Sequence, residues 1–448
     1  MRFRGTAVLV AITLLLGGFY LLYQRPQAEA KKAALAFEKR FFRADSGAIS
    51  SIIIENWDGV VEISHGADGW MIERPQRYRP DDGMIRKLLE TIAKGELTKV
   101  VGEASELNQF GFDRPVLSLT IRTGQSRDML MIGQKNPTDT GYYAYSEGLG
   151  KIFLVNKELP KDLYLRLYDL REKRLYPALR FEDIGRVVIS RGKEKLDIAF
   201  DGKVWRMRAP FDVMASAEEV KAFLGTLTGQ KAAAFIPWEK GLAKLPQQMH
   251  LQLFDLNGRP VVDNRVYYLG TGEDEGVVIH AAGNGESIRT HREFWEILQI
   301  DPADLMERRL FPRDSAGITR VSVFTGNEQI VLVRNGNQWE KNGRRVDAEK
   351  VRIILDTMRN WKTSKRAPEK EHLGKTRTGI EVNYAGEVER LMITEKEISR
   401  SMSTELPTMH AESKDIIYFL ASSSALGQNV LVLSNELDRF LGQMRQLK

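Results

Sequence analysis

The chain has 448 residues, of which 42% are hydrophobic, 28% charged and 9% aromatic, a composition that excludes general disorder and a collagen-like repeat. Its 66 Lys and Arg against 60 Asp and Glu leave +6, too thin an excess over this length to point to nucleic acid, and a mean hydropathy of -0.33 excludes a multi-span membrane protein. With no Cys, disulfides, thiolate zinc sites, thiol catalysis and lipidation at Cys are all ruled out.

Thr6 to Tyr23 is the first element, an apolar run without a single charge. As a helix it would reach roughly 27 Å, close to the ~30 Å hydrocarbon core of a bilayer. Arg2 and Arg4 precede it, and Tyr20 and Tyr23 stand near its far end, where interfacial aromatics are favoured. This predicts a short cytoplasmic tail (1–5), one transmembrane anchor (6–23) and a basic linker (24–44). A cleaved signal peptide is the competing reading, with Ala28-Glu29-Ala30 as the small-residue site. The apolar run exceeds the usual h-region of about 7–15 residues, which favours the anchor. Arg25, Lys31, Lys32, Lys39 and Arg40 outnumber the two leading arginines, and that count favours a cytoplasmic body. Long domains translocate despite their charge, whereas a tail this short is hard to send outward. The expected placement is therefore the bacterial inner membrane, crossed once, with the bulk of the chain periplasmic.

Downstream the dominant signal is repetition. Trp70, Trp205 and Trp339 recur at a nearly constant interval, and Ile49, Ile184 and Ile318 keep the same spacing in register with them. Ahead of each isoleucine stands a charged phrase ending in large apolar residues. The three copies are Glu38-Lys39-Arg40-Phe41-Phe42, Glu172-Lys173-Arg174-Leu175-Tyr176 and Glu307-Arg308-Arg309-Leu310-Phe311. DLREKRLYP ends at Pro177 and DLMERRLFP at Pro312, and the phrase reads as a joint into the next unit rather than as a core element. The body divides into three tandem units: 45–180, 181–315 and a divergent 316–448.

Each unit opens with two strands, AISSIIIE, DIGRVVIS or GITRVSVF and then VVEISHG, KLDIAFD or QIVLVRN. The tryptophan follows the next turn. A helix comes after it, with Asp81, Ser216 and Asp347 at the N-cap and Ser216 with Glu219 as a capping box. Its apolar stripe is Ile85, Leu88, Leu89 and Ile92, then Val220, Phe223, Leu224 and Leu227, then Val351, Ile354, Leu355 and Met358, a single amphipathic face. Further strands follow: VLSLTIRT, DMLMIG, GYYAYSE and KIFLVN in the first unit, HLQLFDL, RVYYLG and VVIHAAG in the second, and GIEVNYA, RLMIT and IIYFLAS in the third. A closing helix is predicted over 157–174, 291–308 and 434–446. The fold class is α+β, with a mainly antiparallel sheet and two helices per unit.

Candidate chemistry is sparse. His65, His250, His280, His291, His372 and His410 form no HxH, HxxxH or HExxH pair, so no metal is expected. Asp81-Asp82 resembles a catalytic carboxylate pair, but becomes Ser216-Ala217 in the second unit, which keeps a cap and loses a base. Gly374-Lys375-Thr376 has the ending of a phosphate loop, yet Glu369 stands where that loop needs Gly. Gly270-Thr271-Gly272 and Gly283-Asn284-Gly285 read as hairpin turns. No catalytic residue and no cofactor is predicted. The three tryptophans read as core markers, with ligand platforms the alternative. Two basic stretches are candidate partner contacts: Lys39 and Arg40 with Phe41 and Phe42, and Lys362, Lys365, Arg366 and Lys370. The first of these could instead dock against unit one.

GWMIERP, LLETI, FGFDRP, MIGQKNPTDTGYYAY, KIFLV and DLREKRL together resemble the bacterial domain-of-unknown-function family 4340. The resemblance runs most clearly over 45–177, continues over 181–312 and fades over 316–448, where Trp339 lacks a following Pro and FGFDRP has no counterpart. It implies an amino-terminal membrane anchor. It also implies a genomic setting beside an ABC-type exporter permease, its ATPase and a gliding-motility-type auxiliary protein. No catalytic residues come with it. The expected function is a non-enzymatic, elongated periplasmic scaffold that contacts such membrane subunits. The alternative is a module for cell-wall glycan or polysaccharide that uses aromatics such as Tyr142 and Tyr143.

Overall fold

The computed structural model describes residues 39–447 with Thr13 and Phe37, except 239, 246–247, 271–275, 282–284, 364–371 and 401–415. The expected tail, all of the expected anchor but Thr13 and most of the linker lie outside the described residues, as do Lys365, Arg366 and Lys370. No helix among the described residues is long and apolar enough to cross a membrane. The chain divides between Arg174 and Leu175 into two compact units; the first holds one sheet and the second holds two.

In the first unit, β1 (Ile49–Asn56), β2 (Gly59–Gly66) and β3 (Gly69–Arg74) form a meander. The helix Asp82–Lys94 and β4 (Lys99–Glu103) follow. A second meander then runs through β5 (Leu117–Thr123), β6 (Ser126–Lys135), β7 (Gly141–Ser146) and β8 (Lys151–Asn156). The sheet order is β3-β2-β1-β5-β6-β7-β8-β4, with neighbours antiparallel.

The second sheet repeats this plan. It uses β9 (Ile184–Arg191), β10 (Glu194–Phe200), β11 (Trp205–Ala209) and β12 (Val213–Met214), then the helix Ala217–Thr228 and β13 (Ala234–Pro237). β14 (Gln248–Asp255), β15 (Pro260–Tyr268), β16 (Val277–Ala281) and β17 (Glu286–Thr290) complete it, in the order β12-β11-β10-β9-β14-β15-β16-β17-β13. The third has β18 (Ile318–Thr325), β19 (Glu328–Asn335), β20 (Gln338–Lys341) and β21 (Arg344–Val346), then the helix Ala348–Asn360. β22 (Thr376–Tyr384), β23 (Val388–Arg400), β24 (Ile416–Ser423) and β25 (Gln428–Leu433) follow, in the order β21-β20-β19-β18-β22-β23-β24-β25.

Register carries the repetition down to single residues. Ile52 faces Ile63 and Ile121; Val187 faces Ile198 and Leu253; Val321 faces Leu332 and Val382. All nine side chains are fully buried, each burial contributing about 1.5–3 kcal/mol. A slip by one residue would turn these rows to solvent, so the apolar alternation fixes the pairing. The N-caps form as predicted: Asp81, Ser216 and Asp347 each accept a backbone N–H of the first helical turn. The helices bury Ile85, Leu88 and Ile92, then Val220, Phe223, Leu224 and Leu227, then Val351, Ile354 and Met358.

Three expectations change. The closing helix is continuous only in the last repeat, Ser434–Gln446. In the first it breaks into Leu159–Leu163 and Leu167–Leu170, and in the second into Arg292–Leu298 and a 3-10 turn, Pro302–Leu305. The proline at 302 disfavours helical geometry at Asp301, which caps the new turn through Ala303 N instead. Second, the joint phrase is core after all. Phe41 and Phe42 pack in the first core, Tyr176 in the second, and Leu310 and Phe311 in the third. Apolar side chains this large are driven inside the sheet that follows them. Third, β4 and β13 extend the first two sheets at their far edges, where no strand was predicted.

Candidate functional site

In the second unit the segment between the two sheets is bridged on both sides. Toward the second sheet, Ser216 N donates to Leu305 O (2.9 Å) and Glu307 N to Met214 O (3.0 Å). Toward the third, Leu310 N donates to Trp361 O (2.8 Å) and Thr363 N to Arg308 O (2.7 Å). Glu307 is buried, and its carboxylate takes four donors: the amides of Arg308 (3.0 Å) and Arg309 (2.8 Å) and the Arg309 guanidinium through Nε (3.0 Å) and Nη2 (2.7 Å). Burying a charge at this level demands such pairing.

The first unit builds the same clasp one repeat earlier. Glu172 accepts from Arg174 N (2.9 Å), Nε (3.1 Å) and Nη2 (2.7 Å), while Glu172 N donates to Arg79 O and Asp81 N to Leu170 O. The sequence displayed the Glu-x-Arg recurrence, and this i, i+2 fork is its structural meaning.

A second charged cluster stands just beyond the joint. Arg313 Nε binds Glu389 Oε1 (2.9 Å) and its Nη1 binds Glu387. Tyr384 OH donates to the other Glu389 oxygen (3.0 Å). Burial pushes the Glu389 carboxyl above the usual glutamate value and the Tyr384 phenol above the usual tyrosine value.

Glu307 with Arg309, and Arg313 with Glu387 and Glu389, line one cleft of about 1170 Å³. Phe181 and Phe200 line it too, packed against Trp205 at 6.1 and 5.7 Å between ring centroids, and exposed Leu256 and Val388 bring aliphatic surface. Lys203, Lys221, Glu182 and Glu218 are exposed there and make no ion pair among the described residues. The carboxylates deepest in the cleft are thus held by arginines, and what faces outward is apolar surface with charges of both signs. That combination suits a polypeptide segment better than a small ion.

Of the residues singled out by sequence, Trp205 and Trp339 are buried, whereas Trp70 is half-buried with its ring 5.1 Å from His65. Phe41 and Phe42 are unavailable to a partner, because they fill the first core. Lys39 is exposed, and Arg40 lies over the exposed Phe37 ring at 5.6 Å. Lys362 is exposed and pairs through its backbone with the joint at Arg309. Tyr142 and Tyr143 are half-buried, the latter packed on Phe110 at 4.6 Å. Among the described residues no three His, Asp or Glu side chains are grouped to hold a metal. His250 pairs with Asp263 at 2.5 Å, and His280 stacks under Trp238 at 3.8 Å.

No curated protein matches the chain. A family model described as a domain of unknown function (DUF4340) matches residues 70–248 and again 205–376, the two matches opening on the repeat tryptophans Trp70 and Trp205. The two matched stretches together cover 70–376, more than half the chain, and the protein therefore belongs to the DUF4340 family.

Proposed function

We propose that this chain is a non-enzymatic accessory protein, anchored by 6–23 in the bacterial inner membrane, with its repeats in the periplasm. There it would bind membrane subunits of an ABC-exporter-like or gliding-motility-like complex. The observation that carries the reading is the cleft at the second joint. Its buried carboxylates are each bound by an arginine, Glu307 by Arg309 and Glu389 by Arg313, and its outer surface joins apolar side chains with charges that make no ion pair among the described residues. The doubly bridged joint supports the same reading, because it fixes the cleft walls without help from a ligand.

The test is site-specific photo-crosslinking in cells from Leu256 and Val388, the exposed apolar residues of the cleft. The expected product joins this chain to an integral membrane subunit encoded beside it. Crosslinks from Trp57, exposed in the other unit, serve as the control. Absence of any protein adduct at both cleft positions, with retention of the soluble body on isolated cell-wall glycan, would replace the scaffold reading by the glycan one. Proteolysis of the body in intact spheroplasts tests the placement, and a protected body would overturn it.

A further inference from the structure

A second cavity, of about 540 Å³, lies wholly within the second sheet's repeat, at the β9–β10 hairpin. We infer that this cavity is a binding site for a carboxylate carried on a small apolar body. Arg191 lines it, together with Lys193 and an apolar wall that includes Ala209, Pro210, Phe211 and Pro302.

The Arg191 guanidinium uses Nη2 to donate to Ile300 O (2.9 Å); among the described residues its Nε has no partner and it makes no ion pair. Burial holds its pKa below the usual arginine value. The cation is half-buried and no carboxylate among the described residues reaches ion-pair distance, so a ligand carboxylate would gain charge-assisted bonds there.

Comparison between repeats shows that the charge is not needed for the fold. The equivalent of Arg191 in the first repeat is Asn56, whose Nδ2 donates to Leu165 O (3.2 Å), the carbonyl equivalent to that of Ile300. A neutral amide therefore makes the same structural bond. The cationic head at 191 is an addition specific to the second repeat, and it sits on a cavity wall.

Two carboxylates line the same cavity. Asp301 is committed to capping Ala303 N (2.8 Å), and Glu194 faces Arg191 across the hairpin without reaching ion-pair distance. Glu194 is a competitor for the site, which gives the test a variant of opposite sign.

The experiment titrates the full-length chain with 3-phenylpropionate and its neutral twin 3-phenylpropanamide by ligand-observed NMR. A tetrapeptide ending in Phe, with a free or amidated carboxy terminus, forms the second arm. The acid should bind and the amide should not. Preference for the free-terminus peptide would assign the site to a chain end, and preference for the simple acid to a small metabolite. Arg191→Asn, which copies the sister repeat and keeps the bond to Ile300, should weaken the acid at least about tenfold with an unchanged melt. Exposed Glu194→Gln should tighten it. Equal binding of acid and amide, no binding up to about 10 mM, unchanged affinity in Arg191→Asn or weaker affinity in Glu194→Gln would each overturn the inference.

Discussion

Glu307→Ala is the sharpest perturbation of the joint. Glu307 is 4% exposed, and its loss strips four donors of their acceptor, two of them backbone amides. A buried unsatisfied donor costs about 1–3 kcal/mol, and removing one partner of a buried ion pair about 3–5 kcal/mol. The Arg309 side chain keeps 29% exposure, so water reaches part of its fork and the lower end applies, about 3 kcal/mol. Glu172→Ala removes the sister clasp, but Arg174 is 51% exposed, which reduces the expected loss to about 1 kcal/mol. Hydrogen exchange of the full-length chain reads both locally, where a global melt would mix the units. Peptides covering 306–311 and 361–363 should exchange about a hundredfold faster in Glu307→Ala, with the first sheet unchanged. Equal losses at Glu172 and Glu307, or a change under about fivefold at the joint, would refute the argument that burial gives this fork its strength.

Three further outcomes follow from other sites. Gly133→Ala would drive a Cβ into the Phe110 carbonyl oxygen, which accepts from Gln134 N, and should cost about 2 kcal/mol by denaturant titration; Gly66→Ala, with open space around it, should be nearly neutral. Glu389 titrates above 4.5 when folded, so the folded state holds its proton longer than the unfolded chain; stability is fullest below pH 4.5 and falls as pH rises through the raised pKa. Glu389→Gln should abolish that fall in melts recorded across the range, and an unchanged slope would sink the assignment. His280 is held below 6.5 by burial, so the unfolded chain takes the proton first; its contribution is full above pH 6.5 and is lost as pH falls through the lowered value. His280→Phe keeps a ring under Trp238 and should flatten that opposite slope.

The repeats were legible because they rest on local signals: tryptophans at a fixed interval, capping residues ahead of an i, i+3, i+4, i+7 stripe, and alternation in the central strands. β4 and β13 escaped notice for the reason edge strands usually do. Lys99–Glu103 buries none of its residues fully, so no apolar alternation marks it. The cleft was hidden because its members come from segments as far apart as Phe181 and Ala425, and only the tertiary fold assembles them. The role of Glu307 was half visible. Its recurrence was in the sequence, whereas the direction of its side chain, back onto the two residues after it, was not.

The burial of Leu310 and Phe311 in the third core has a consequence for how such a chain can be divided. The copied interval and the folding interval have the same length but different phase. Cutting at Ser315, where the strand signal restarts, would separate the third sheet from the apolar pair that closes its core and from the Leu310 amide bonded to Trp361. A duplication could be spliced at any point of the period and still read as a repeat, but a freely folding piece has to begin upstream of the pair, inside what looks like its neighbour's tail.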